Sequence, residues 1–135
     1  VVYFGSHDNH LYALDVNTGQ ERWRFRTGDG IFSSPAVSAG VVYFGSHDNH
    51  LYALDVNTGQ ERWRFRTQAV IDSSPAVSAG VVYFGSYDNH LYALDVNTGQ
   101  ERWKFRTENW IGSSPAVSGG VVYFGSGDNH LYAVK

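Results

Sequence analysis

Apolar and polar positions alternate with a period of two through most of this chain, and the whole pattern returns every 40 residues. One unit shows the reading. Residues 34–38 (Ser-Pro-Ala-Val-Ser) predict a short strand, closed by the tight turn Ala39-Gly40. Residues 41–46 (Val-Val-Tyr-Phe-Gly-Ser) predict a second strand, and His47-Asp48-Asn49 supply turn residues that tolerate positive φ. Residues 50–55 predict a third strand and Asn57-Thr58-Gly59 the next turn. In the fourth strand, residues 61–67, Arg62, Arg64 and Arg66 fall on one face, with Trp63 and Phe65 on the other. Each unit is therefore four short antiparallel strands.

The two middle strands are apolar on both faces: Val41 and Tyr43 oppose Val42 and Phe44, while Leu51 and Ala53 oppose Tyr52 and Leu54. A simple sandwich leaves one face of a sheet wet. Four-stranded sheets covered on both sides and repeated in tandem are what a β-propeller requires, because each blade is packed between two others. The charged face of the fourth strand suits an outermost position and discourages edge pairing. No window carries helical periodicity over three turns, so the expected class is all-β. Residues 1–32 are expected to form a blade without its inner strand, 33–72 and 73–112 two whole blades, and 113–135 a blade without its outer strand. Such broken blades leave unpaired edges. The expected remedy is a homodimer that completes an eight-bladed ring, or a six-bladed one with strand exchange. The start inside a strand and the near-identical repeats suit an excised or engineered piece, for which self-association is one candidate activity.

Composition narrows the partners. Thirteen acids against ten bases, a formal charge of −3, give no general attraction for nucleic acid or anionic lipid. The chain has no cysteine, so disulfides, thiolate metal sites and cysteine nucleophiles are excluded. No apolar run reaches 18 residues, and no membrane insertion is expected.

The segment 13–23 (Ala-Leu-Asp-Val-Asn-Thr-Gly-Gln-Glu-Arg-Trp) recurs unchanged at 53–63 and 93–103. Together with Ser-Ser-Pro-Ala-Val and the run Val-Tyr-Phe-Gly-Ser-x-Asp-Asn-His-Leu-Tyr-Ala, it resembles the pyrroloquinoline-quinone (PQQ) repeat over essentially the whole chain. That repeat builds the propellers of quinoprotein alcohol dehydrogenases and of outer-membrane-assembly scaffold lipoproteins. The resemblance implies that Trp23, Trp63 and Trp103 dock between successive blades. It also suggests a periplasmic or extracellular location.

Where the repeats differ from one another, they differ mostly at one end of the blades. Residues 28–32 (Gly-Asp-Gly-Ile-Phe) are replaced by Gln-Ala-Val-Ile-Asp at 68–72 and Glu-Asn-Trp-Ile-Gly at 108–112. His7 and His47 give way to Tyr87 and Gly127. In an up-and-down blade these two connections emerge on the same side. Asp29, Phe32, Gln68, Asp72, Tyr87, Glu108, Asn109 and Trp110 are accordingly the candidate binding residues for a protein, peptide or glycan, presented by loops on a rigid scaffold. Drift in permissive loops is the competing account.

No catalytic residue is identified. The inner strand offers Ser33, Ser34 and Ser38 without a base, and unassisted hydroxyls are not activated nucleophiles. Asp15, Asn17 and Thr18 have the spacing of calcium-loop oxygens but lack further carboxylates, and read as a turn. His10, His50, His90 and His130 recur on a ring, too far apart to share a metal. No metal and no cofactor are expected, since nothing matches the cation-binding residues, the acidic base or the vicinal disulfide of the family's dehydrogenases. The expected function is a non-enzymatic scaffold; a fragment of a PQQ-dependent dehydrogenase is the alternative.

Overall fold

Every run of alternating residues forms a strand in the computed structural model, which describes residues 1–135. Strands β1 (Val2–Gly5), β2 (His10–Leu14) and β3 (Glu21–Arg26) make the first sheet. The second is β4 (Ala36–Ser38), β5 (Val41–Gly45), β6 (His50–Asp55) and β7 (Glu61–Arg66). The third repeats it with β8 (Ala76–Ser78), β9 (Val81–Gly85), β10 (His90–Asp95) and β11 (Glu101–Arg106). The fourth has β12 (Ala116–Ser118), β13 (Val121–Gly125) and β14 (Leu131–Val134). Within each sheet, consecutive strands pair antiparallel. The molecule is an arc of four propeller blades.

The inner strand is shorter than the alternation predicts, three residues instead of five. Pro35 has no N–H for a ladder, and the serines before it bond to the next blade instead. Ser33 Oγ donates to the carbonyl of Ser73 (3.0 Å), and the Ser34 and Ser74 amides donate to Ser74 Oγ and Ser114 Oγ (2.9 and 3.0 Å). The outer strand stops at Arg66 because the buried Thr67 turns away, its amide bonded to the carbonyl of Asn49 (2.8 Å).

The core lies between the sheets and is built three times from the same residues. One face of a blade carries Tyr43, Leu51, Ala53, Trp63 and Phe65, with Ile71 from the following loop. It meets the opposite face of the next blade, Val82, Phe84, Tyr92 and Leu94. The first and second sheets join through Leu11 and Ile31 against Val42, Phe44, Tyr52 and Leu54. The third and fourth join through Leu91 and Ile111 against Val122 and Phe124. Every residue of β5 is buried, which is why both faces of the middle strands are apolar.

Candidate functional site

The two ends of the blades are constructed differently. At one end is the turn of the invariant segment. The Asp15 carboxylate accepts the amides of Asn17 (2.9 Å) and Thr18 (3.1 Å), and its second oxygen accepts Arg22 Nη2 (3.1 Å). These bonds, the Asn17 amide first, hold its carboxyl down at about 2. Arg102 together with the Asn97 and Thr98 amides does the same for Asp95, also about 2, and Arg62 lowers Asp55. The carboxylate oxygens are thus spent on the turn itself.

That turn is the seat for the preceding blade's tryptophan. Trp23 Nε1 donates to the Val56 carbonyl and Trp63 Nε1 to that of Val96, each at 3.0 Å. The indoles lie on Gly59 and Gly99, where an added Cβ would stand 2.6 and 2.5 Å from the ring. Trp103 packs against the core that joins the third and fourth sheets. It lies beside Tyr83, with 5.9 Å between ring centroids.

At the other end the backbone and a few constant side chains hold the loops. The amides of Gly28, Gln68 and Glu108 donate to Asp48, Asp88 and Asp128 Oδ2 of the next blade (2.9, 3.1 and 3.2 Å). The amides of His47, Tyr87 and Gly127 donate to the carbonyls of Gly30, Val70 and Trp110 (2.9, 3.0 and 2.8 Å). Tyr52, Tyr92 and Tyr132 give their hydroxyl protons to the same aspartates. Burial pushes the Tyr52 and Tyr92 hydroxyls up, and the bond from Tyr132 lowers Asp128. Positions 28, 30 and 47 and their repeat equivalents thus contribute main-chain groups, which nearly every residue type supplies.

The side chains freed by this arrangement form a row across the rim. Phe32 sits between His7 and His47, with ring centroids 4.1 Å from each. His47 Nε2 bonds to Asp72 Oδ1. Asp72 also lies beside the Tyr87 hydroxyl and raises it above the ordinary phenol value. Tyr87 in turn packs on Trp110 at 5.1 Å. Phe32 and Trp110 remain exposed, at 48% and 45%. The neighbours make room for them: a Cβ on Gly127 would stand 2.9 Å from the Trp110 ring, and one on Gly30 3.0 Å from Phe32. No cavity opens on this surface.

Of the eight candidate residues, Phe32, Asp72, Tyr87 and Trp110 come together in the row. Asp29 acts within its own loop, its Oδ1 accepting the Gly30 amide (2.7 Å), whereas Asn109 accepts the Trp110 amide at Oδ1 (2.8 Å) and donates from Nδ2 to the Gly127 carbonyl of the next blade (3.4 Å). Gln68 and Glu108 stand exposed, with only their amides engaged. His7 and His47 belong to the row but were not among the candidates. Their signal is that the position they share is itself variable, and that it lies 25 residues before the loop position of Phe32 and Asp72.

The remaining polar groups are structural. Each recurring histidine is engaged on its own hairpin, His50 Nδ1 lying 3.0 Å from the Asp48 carbonyl. The inner serines are bonded: Ser73 Oγ accepts the Gly85 amide (3.0 Å) and Ser113 Oγ donates to the Gly125 carbonyl (2.8 Å). No three His, Asp or Glu residues converge to hold a metal ion.

The sequence profile of the outer membrane protein assembly factor BamB matches residues 1–70 and again 51–135. The crystal structure of BamB from Moraxella catarrhalis superposes with a TM-score of 0.86 at 27% identity, over 97% of this chain and 41% of that one. A europium-containing methanol dehydrogenase superposes with a TM-score of 0.69 at 24% identity, over 79% of this chain and 23% of that one. The beta-alanine-activating enzyme of Danio rerio is 42% identical over 40 residues, 30% of this chain and 4% of that protein. The chain thus spans less than half the length of each of these relatives.

Proposed function

Because the chain belongs to the family of the outer membrane protein assembly factor BamB, built of PQQ-like repeats, we propose that it is a non-enzymatic propeller scaffold. It binds a protein, peptide or glycan on the rim that carries the variable loops, and it self-assembles. The observation that carries this reading is the row from His7 to Trp110. The variable residues fit one another across blade boundaries, with glycines opposite the large rings, and two aromatic surfaces stay in solvent. Unconstrained drift gives no reason for such fitting, whereas exposed aromatics on a rigid frame are common contact anchors. The open, cavity-free surface suits an extended ligand better than a small enclosed one. The family's role in outer-membrane assembly supports a periplasmic or extracellular location. The likeness to methanol dehydrogenase concerns the fold.

The test is a peptide and glycan array screened with the native chain and with a chimera in which residues 108–112 carry the sequence of 28–32. A change in the bound set is expected; identical binding would leave the loops without a function. Dye-linked alcohol oxidation on addition of PQQ and calcium would overturn the non-enzymatic reading.

A further inference from the structure

The two outer faces of the arc are the two halves of the interface that already occurs three times inside it. The first sheet exposes Val2 (45%) and Phe4 (40%), with Tyr12 and Leu14 half-buried beside them. Their repeat equivalents are Val42, Phe44, Tyr52 and Leu54, which are fully covered by the sheet before them. The Phe4–Tyr12 stack has the same form as the covered Phe44–Tyr52 stack, with centroids 5.4 and 5.3 Å apart. At the far end the fourth sheet exposes Tyr123 (39%) and Leu131 (77%), next to Val121 and Ala133. Their equivalents Val41, Tyr43, Leu51 and Ala53 cover the sheet that follows them.

We propose that two copies of this chain associate head to tail, the fourth blade of each on the first blade of the other, to close one ring of eight blade positions. The proposal deepens the self-assembly part of the function given above and names its surfaces. Shape and chemistry are already matched, because each internal junction joins the same residue types. The two open faces differ from each other, so pairing is heterologous, and a heterologous contact either closes a ring or runs on as a polymer. Each arc carries four sheets, so two arcs joined at both ends supply eight blade positions. Each junction lacks one inner and one outer strand, and with them the tryptophan of the internal joints. Strand exchange into a six-bladed ring would have to displace β13 and β14, although Val122 and Phe124 are buried to within 2%.

Analytical ultracentrifugation and native mass spectrometry of the 135-residue chain are expected to give twice the 15.0 kDa chain mass. A monomer, or an open series of larger species, would overturn the proposal. Phe4→Asp and Leu131→Asp each place a charge on one half of the junction only, and each is expected to raise the dissociation constant roughly a hundredfold. Mixing the two variants leaves one intact junction and is expected to restore a dimer. If either variant alone dimerises like the parent, the faces pair with themselves and the head-to-tail arrangement is wrong. Near-ultraviolet circular dichroism identifies any variant that has not folded; Val2→Lys and Tyr123→Lys then replace it. Loop chimeras at the rim leave the mass unchanged, so failure of assembly and failure of ligand binding are read separately.

Discussion

The two ends of the blades solve the same joining problem in opposite ways. At the invariant turn, side chains make the joint: the Asp55 carboxylate and the Arg62 guanidinium hold the turn, and the Trp23 indole is seated on it. At the rim, main-chain amides and a constant aspartate make it, and the variable side chains are left to contact one another. An end held by side chains cannot vary without coming apart. An end held by its backbone can change its surface while the loop keeps its path, which places diversity and rigidity on one small scaffold.

The most severe way to break the contrast is Trp63→Ala. Loss of the docked indole is expected to cost about 3–5 kcal/mol in denaturant unfolding. Trp103→Ala removes an indole that makes no such hydrogen bond, and is expected to cost about 1–2 kcal/mol. Equal losses would show that the docking turn adds nothing. A finer probe adds one methyl to the turn. Gly99→Ala must fit a Cβ 2.5 Å from the Trp63 ring, and about 2–4 kcal/mol is expected from overpacking and a left-handed φ of 73° together. Gly19→Ala has the same backbone with nothing within 4 Å, so only the backbone part, about 1 kcal/mol, is expected.

Acid tests the same end through its carboxylates. Asp15 and Asp95 sit at about 2 in the folded chain, below the ordinary value of about 3.9 for an unfolded Asp. Between these values the unfolded chain binds more protons, so their contribution is complete above about pH 4 and is lost as the pH falls through about 2. A stability profile flat across that window would contradict the bonding seen at the turn. The smallest effect belongs to the rim: Trp110→Ala is expected to change unfolding stability by less than about 1 kcal/mol while removing one exposed ring from the candidate surface. A larger loss would make Trp110 a cover for its own blade.

Much of this was legible in residues. Asp15, Thr18 and Gly19 announced a turn, and both-sided apolarity of 41–44 and 51–54 announced sheets packed on two faces. Alternation extends the inner strand to Ser34 and Pro35, where the structure does not, because a serine's bond to the next blade is invisible to that pattern. The sequence marks the rim as a set of variable positions and not as a row. His47 lies 15 residues from Phe32 and 25 from Asp72, separations that no local rule connects.

What the sequence alone determined was the unit: strand positions, turns and the 40-residue period follow from side-chain alternation and from residues that bend the backbone locally. What only the tertiary structure decided was which copy of the unit each residue touches. Near-identical repeats offer Trp63 the turns at 15–19, 55–59 and 95–99 with the same chemistry. The choice of Val96 and Gly99 is made by stacking one sheet on the next, and the same stacking aligns His7, Phe32 and His47.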